Sequence, residues 1–376
     1  MACPFMAAQQ PDNNCDNDLQ GNQEMHYRTY LGLDNLLSLN KPVTEKLGNL
    51  CHDEHLFITV HQVFELWFKQ ILKELGSVME LLKDHLSLPL AVRRLERATQ
   101  ILEHTTTQFP LLESMTPLDF KEFRDHLAPA SGFQSHQFRY IENIVGVRPK
   151  DRIPFNRTDY RFYLRGNDDI LEKLDSTESE PTLLLAVNSW LEEIYDRDNS
   201  GERFWLTYQQ ALKNFIDNKP GEAQKAAAAG QFESLLQETA YAECLERGER
   251  RLSYKAFKGA LLVTMLCDEA DYCEPYRFVK LLVKFDITLT KWRFQHLMMV
   301  QQQIGPTAKG LGGGAVVPYL KATLSDSYKA FLDLSRVTSL LLPRSLLKEA
   351  ATLVQEQSVL EVVEGSREIT AEDHNN

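Results

Sequence analysis

The chain has 376 residues, 43% hydrophobic and 25% charged, with 53 acidic against 41 basic side chains and a formal net charge of −12. That is an ordinary globular composition with enough apolar residues for a sizeable core, and its acidic balance excludes a broad nucleic-acid footprint, which needs clustered Lys and Arg. No stretch has the apolar length that spans a bilayer, and with Arg28 as the first basic residue the positive region of a signal peptide is missing, so a cytoplasmic protein is expected.

Residues 1–24, rich in Asn, Asp and Gln, are expected to form a flexible polar tail. From Tyr27 onward helical periodicity dominates. Helices are predicted over Leu33–Leu39, Asp53–His85, Ala91–Thr107, Asp119–Leu127, Gln134–Val145, Leu183–Tyr195 and Gly201–Ile216. Residues 217–231, with Lys219-Pro220-Gly221 and an alanine run, read as helix or linker. Further helices are predicted over Tyr254–Cys267, Pro275–Gly305, Ser325–Leu342 and Ser345–Val363, with Pro343 between the last two. Alternating strand patterns are nearly absent. The fold class is therefore all-α, a multi-helix bundle forming one domain over 25–363, with a charged surface excursion at about 148–181 and a flexible acidic tail at 364–376.

Two histidines stand out. Leu289, Trp292, His296, Met299 and Gln303 share one face of a helix, which turns His296 into an apolar interior. His61 does the same on a second helix, among Phe57, Phe64, Phe68, Ile71 and Leu75. A lone histidine of this kind is more often a satisfied core residue, but two on separate apolar helices are what a haem iron needs: one axial ligand and one residue over the open position. The six cysteines form no paired-spacing metal motif, and Gly48-Asn-Leu-Cys51-His52 is one cysteine short of a covalent haem attachment site, so free thiols and a non-covalent haem are expected. A metal site of His52, Glu54 and His55 is conceivable, but its spacing matches neither the His-Glu-x-x-His of metalloproteases nor the Glu-x-x-His of helical di-iron sites, and such clusters more often hydrogen-bond a helix terminus.

A second constellation runs from Leu118 to Ser135. Phe120, Phe123, Arg124 and Leu127 fall within two turns, so Arg124 flanks an apolar stripe and can offer a planar fork to a carboxylate; pairing with Asp125 or Glu122 is the alternative. Pro129-Ala-Ser-Gly132 then stops the helix with small residues that let backbone amides approach an anion.

Taken together, His52-Asp-Glu-His-Leu-Phe-Ile, His61-Gln with Glu65-Leu-Trp-Phe-Lys-Gln, Met115-Thr-Pro-Leu-Asp-Phe, Phe123-Arg, Leu127-Ala-Pro-Ala-Ser-Gly-Phe-Gln-Ser, Lys291-Trp-Arg with His296, and Leu324-Ser-Asp resemble the animal tryptophan 2,3-dioxygenases. The resemblance runs from about Tyr27 to about Pro343. It implies haem b, ferrous when active, with His296 as its axial iron ligand and Ser131 and Gly132 near a propionate. It implies that His61 is catalytic, beside the indole N–H, that Phe57, Phe120 and Leu127 line the substrate pocket, and that Arg124 clamps the substrate carboxylate. Tyr27 and Tyr30 would reach a neighbouring subunit's site in a homotetramer, a dimer of dimers. The implied reaction inserts O2 across the indole C2–C3 bond of L-tryptophan to give N-formylkynurenine, the first step of tryptophan catabolism by the kynurenine pathway.

The resemblance has departures. Leu311 stands where family members carry a threonine that contacts the substrate's ammonium and carboxylate, and leucine offers no side-chain hydrogen bond. Thr307 or a backbone group would have to substitute. Gln301-Gln-Gln303 replaces a more basic pattern, and Val63-Phe64 the usual Ala-Tyr. Two alternatives to tryptophan oxidation therefore stay open at this point: a dioxygenase for another indole, or a haem-binding sensor or interaction protein with little catalysis.

Overall fold

The computed structural model describes residues 25–147, 152, 161, 164–307 and 316–351. The expected tails, the C-terminal helix beyond residue 351 and the glycine loop around Leu311 lie outside these residues. Among the described residues every regular element is helical, as the sequence predicts. They divide into two compact units, 25–41 and 42 onward.

In the first unit, α1 (Tyr27–Leu31) and α2 (Leu33–Leu37) meet at Gly32, whose φ of 59° ends one helix and starts the other, a conformation glycine adopts without strain. Arg28 donates to Asp34 at 2.6 Å. Tyr27 and Tyr30 are 67% and 71% exposed in the chain by itself.

The second unit begins with α3 (Val43–Lys46) and the 30-residue α4 (His52–Leu81), which carries Asp53 and Glu54 in its first turn as the helix dipole favours. Glu54 is buried, and its carboxylate accepts the Val43 and Thr44 amides at 2.7 and 3.0 Å, tying α3 to α4. It is thus turned away from any metal site with His52 and His55, both of which are exposed. Next come α5 (Leu88–Thr106), α6 (Phe109–Glu113) and α7 (Pro117–Arg124). Helix α7 starts two residues before the predicted Asp119 because Thr116 and Asp119 form a reciprocal capping box around Pro117.

Helix α8 (His136–Val145) is capped by Ser135 and ends at Gly146, with φ 104°. Within the charged segment α9 (Asp168–Ser179) packs on α8 and fully buries Leu174, so that stretch is more regular than its charge pattern predicts. The chain continues through α10 (Leu183–Asp196), α11 (Ser200–Asp217), α12 (Glu222–Leu236), α13 (Glu238–Glu246) and α14 (Tyr254–Met265). Helix α12 resolves the ambiguous alanine run as helix. Gly259 lets α14 cross α10 closely: a Cβ there would lie 2.4 Å from the Leu191 carbonyl oxygen.

The longest element is α15 (Ala270–Ile304), which starts five residues before the predicted Pro275. It packs along α5, and α5 packs along α4, so the two histidine-bearing helices share one core. After α16 (Val316–Ala322) the single helix expected over Ser325–Leu342 is broken into two short 3₁₀ turns flanking α17 (Leu332–Arg336). The reason is competition for backbone amides. Asp286 on α15 accepts Ala330 N–H and Phe331 N–H at 3.2 and 2.6 Å, and those two amides are lost to a continuous helix.

Candidate active site

His61 lies on the third turn of α4, where its Nδ1 is 2.7 Å from the Phe57 carbonyl. A carbonyl only accepts, so Nδ1 carries the proton and Nε2 keeps its lone pair. Burial lowers the pKa of His61 against the opposing pull of that carbonyl and of Glu65, which keeps the ring neutral. His296 lies on α15 with its pKa pushed down to about 4, first by burial and then by the nearby His61. Each histidine is therefore a neutral imidazole, and the two are close enough to sense each other's charge.

The space around them is aromatic. Ring contacts run from His61 to Phe64 at 6.2 Å, from Phe64 to Phe109 at 5.5 Å, and from Phe109 to His296 at 6.0 Å. Trp292, one turn before His296, sits 5.4 Å from it and stacks on Phe138 at 4.8 Å. Its indole Nε1 is buried with no hydrogen-bond partner. Buried polar atoms without a partner are rare and call for an explanation.

On the other side of His61, the Phe57 ring lies tilted against it at 4.1 Å and stacks on Phe120 at 5.6 Å. Phe57, Phe120 and Leu127 pack with Phe123, Met115 and Cys51 in one apolar cluster. Phe120 also lines a cavity of about 540 Å³ between α7 and the end of α15, together with Lys121, Arg124, Gln303 and Gly305. The two cations give that cavity the charge an anionic ligand requires. Lys121 is held by Asp125 at 2.6 Å, one turn along.

Ser131 and Gly132 open a 3₁₀ turn in which the Ser131 hydroxyl accepts from Phe133 N–H and the Ser131 backbone N–H donates to the Gln134 side-chain oxygen at 3.1 Å. Phe133 lies 5.0 Å from the Tyr319 ring, and Arg139 donates to the Tyr319 hydroxyl at 3.3 Å. Behind them is a buried ionic network. Arg139 and Arg293 donate to the two oxygens of Glu142 at 2.7 and 2.9 Å, and Arg152 approaches to 3.7 Å. Burial would raise the Glu142 pKa, but Arg139, Arg293 and Arg152 together hold it at about 2. Three guanidiniums thus meet one buried carboxylate, and Arg152 also pairs with Glu178 at 3.2 Å.

Glu65 joins this turn to α4. Its carboxylate accepts from the Ser135 hydroxyl at 2.6 Å and the Gln137 amide at 2.9 Å, and its backbone carbonyl accepts from Gln137 at 2.8 Å.

Most of the sequence-predicted site residues are brought together: His61, His296, Phe57, Phe120, Leu127, Arg124, Ser131 and Gly132 all fall on α4, α7, α15 or the turn between α7 and α8. Tyr27 and Tyr30 belong to the separate first unit. Leu311 lies outside the described residues, and Thr307 is exposed. Sequence reasoning missed the Glu142 network, the Glu65 bracket and the unpartnered Trp292 nitrogen. Trp292 and Arg293 do carry a signal, the Trp-Arg pair four and three residues before His296, but periodicity assigns them only a face.

Comparison with known proteins gives concordant matches. The family model described as tryptophan 2,3-dioxygenase matches residues 7–341. The chain is 40% identical to tryptophan 2,3-dioxygenase from Xenopus laevis over 375 residues, covering 91% of this chain and 92% of that one. It is 36% identical to the Anopheles gambiae protein of the same name, with 92% of each chain covered, and 40% identical to tryptophan 2,3-dioxygenase B from Danio rerio, with 85% and 82% covered.

Proposed function

The chain belongs to the tryptophan 2,3-dioxygenase family, and from that premise we propose how its residues carry the family's reaction. The enzyme oxidises L-tryptophan with O2 to N-formylkynurenine. The family is haem-dependent, and the residues present fit haem b on three counts. Among the described residues His296 has ring neighbours but no hydrogen-bond partner, so a neutral imidazole is left to ligate iron. Trp292 Nε1 is a buried donor that lacks an acceptor such as a propionate. Phe133, next in sequence to the Ser131–Gly132 turn, packs on Tyr319, whose hydroxyl accepts from Arg139, a guanidinium that would meet a second carboxylate.

When bound, ferrous haem would supply the iron chemistry that activates O2. The side chains supply position. His61 Nε2 accepts the indole N–H, Phe57, Phe120 and Leu127 hold the indole faces, and Arg124 takes the substrate carboxylate in a charge-assisted pair. The aromatic walls exclude water from the reacting ring. The observation that carries this reading is the pair of neutral histidines joined by Phe64 and Phe109 and flanked by a cationic cavity.

The same reading makes the chain a homotetramer, a dimer of dimers, in which Tyr27 and Tyr30 complete a neighbour's site, and places it in the cytoplasm. In support, among the described residues no helix is long and apolar enough to cross a membrane, the four described cysteines are free thiols, and both tyrosines are exposed in the single chain.

The test is anaerobic reduction of the haem-loaded protein, then admission of air and L-tryptophan while the near-ultraviolet band of N-formylkynurenine is followed. Growth of that band is expected. A normal ferrous spectrum without product would overturn the assignment of these residues to tryptophan oxidation.

A further inference from the structure

The cavity beside Arg124 abuts the end of α15 rather than its side. Gln302, Gln303, Ile304 and Gly305 all line it, and four consecutive residues at about 100° each wrap most of the way round a helix axis. Helical carbonyls point along the axis toward the C-terminus, and those of the last turn have no partner within the helix. Gly305 N–H closes the ladder on Gln301. The next carbonyl, that of Gln302, would take its bond from residue 306, which is a proline with no N–H to give. Among the described residues no backbone N–H donates to the carbonyls of Gln302, Gln303 or Ile304.

This end of α15 is therefore electronegative. The aligned peptide dipoles of a long helix add to about half a negative charge at its C-terminus, and the last turn of α15 carries no basic side chain to offset it. The other contributor to the cavity wall, α7, has the opposite sign, since it supplies Lys121 and Arg124. The cavity is thus polarised, with cationic side chains from one helix and the carbonyl end of another. An α-amino acid has the matching polarity, because its carboxylate and its ammonium share one carbon.

We infer that the carbonyl end of α15, from Gln302 to Ile304, receives the α-ammonium of the substrate while Arg124 holds its carboxylate. The contact is made by backbone, so it supplies a polar partner where the Leu311 side chain has none to give. It selects amino acids over indole acids that have a carboxylate and no ammonium. This inference rests on the reading that tryptophan binds with its carboxylate on Arg124.

The experiment is calorimetric titration of haem-loaded protein with L-tryptophan and with indole-3-propionate, which lacks only the ammonium, using wild type, Gln302→Lys and Gln302→Glu. Gln302 is exposed, so either charge can be placed at the end of α15 without disturbing the core. Wild type is expected to prefer tryptophan. The new ammonium of Gln302→Lys competes for the carbonyl end and is expected to lower that preference about three- to tenfold, whereas Gln302→Glu is expected to raise it. A preference that moves in neither variant, or in the same direction in both, overturns the inference; the second result would assign the ammonium to the Gln302 side-chain amide. Should the variants fail to load haem, wild type alone decides: binding indole-3-propionate as tightly as tryptophan overturns it. Failure of the underlying reading looks different, because wild type would then neither bind nor oxidise tryptophan.

Discussion

Between Phe278 and Leu289, α15 buries Phe278, Val279, Leu282, Phe285 and Leu289, and its one buried charge, Asp286, is matched by two backbone amides. Between Trp292 and Gln303 the same helix buries three polar atoms with no partner: Trp292 Nε1, Arg293 Nε and Gln303 Oε1. The first stretch is complete within the chain by itself, and its burial stabilises the fold. The second stretch holds donors and an acceptor in reserve. Between these two stretches, the one with unpartnered polar atoms marks where a ligand is expected.

Substitutions can break that contrast. The largest effect is expected for His296→Ala, which removes the proposed axial ligand: haem retention after gel filtration should fall to background and product formation with it, while the apo chain still folds. Retained haem at full occupancy would move the ligand elsewhere. Phe285→Ala, in the closed stretch, is expected to cost about 3–5 kcal/mol in denaturant unfolding of apo and loaded protein alike. An effect confined to the loaded form would erase the difference between the two stretches.

Arg124→Ala is expected to weaken tryptophan binding by about 2–5 kcal/mol, one to several orders of magnitude, with little change in unfolding midpoint. Unchanged substrate affinity would remove Arg124 from the site. Trp292→Phe should act differently on the two states: in the apo protein, relief of an unsatisfied donor partly offsets the lost packing, whereas in the loaded protein haem dissociates faster. Haem dissociating no faster from this variant would remove Trp292 Nε1 from the contacts of the bound group.

The pH dependence sharpens the picture further. Glu142 is held at about 2 in the folded chain, below its ordinary value of 4.5, mainly because three guanidiniums outweigh the cost of burial. Its contribution is therefore complete above about pH 4.5 and is lost as pH falls toward about 2. Glu142→Gln should flatten that limb of a stability-against-pH curve and cost about 3–5 kcal/mol at neutral pH, because it leaves buried guanidiniums unpaired. An unaltered acid limb would assign the acid sensitivity to other carboxylates.

The histidines were legible in the sequence because a 3.6-residue period places His61 and His296 among apolar residues whatever they touch. Arg124 and the Ser131–Gly132 turn were legible as local patterns, and the family resemblance gave them roles. What the sequence did not show depends on partners far along the chain. Nothing near Ser325 announces that Asp286 will take the amides of Ala330 and Phe331 and break a helix. Nothing near Arg139 or Arg293 announces that both will meet Glu142, and the charge pattern of 148–181 hides the buried Leu174 of α9. Gln303 was visible as part of a stripe; that its oxygen has no partner is a property of packing alone.

Glu65 lies one turn beyond His61 on α4 and grips Ser135 and Gln137, the residues just after the Ser131–Gly132 turn. Although about seventy residues of chain separate these two sides of the site, the spacing between them is set by a single helical turn and one carboxylate. The carboxylate acts as a gauge block. Any molecule that reaches from the His61 imidazole to that turn must match a length written into one side chain, and shortening that side chain would change which molecules fit before it changed how the chain folds.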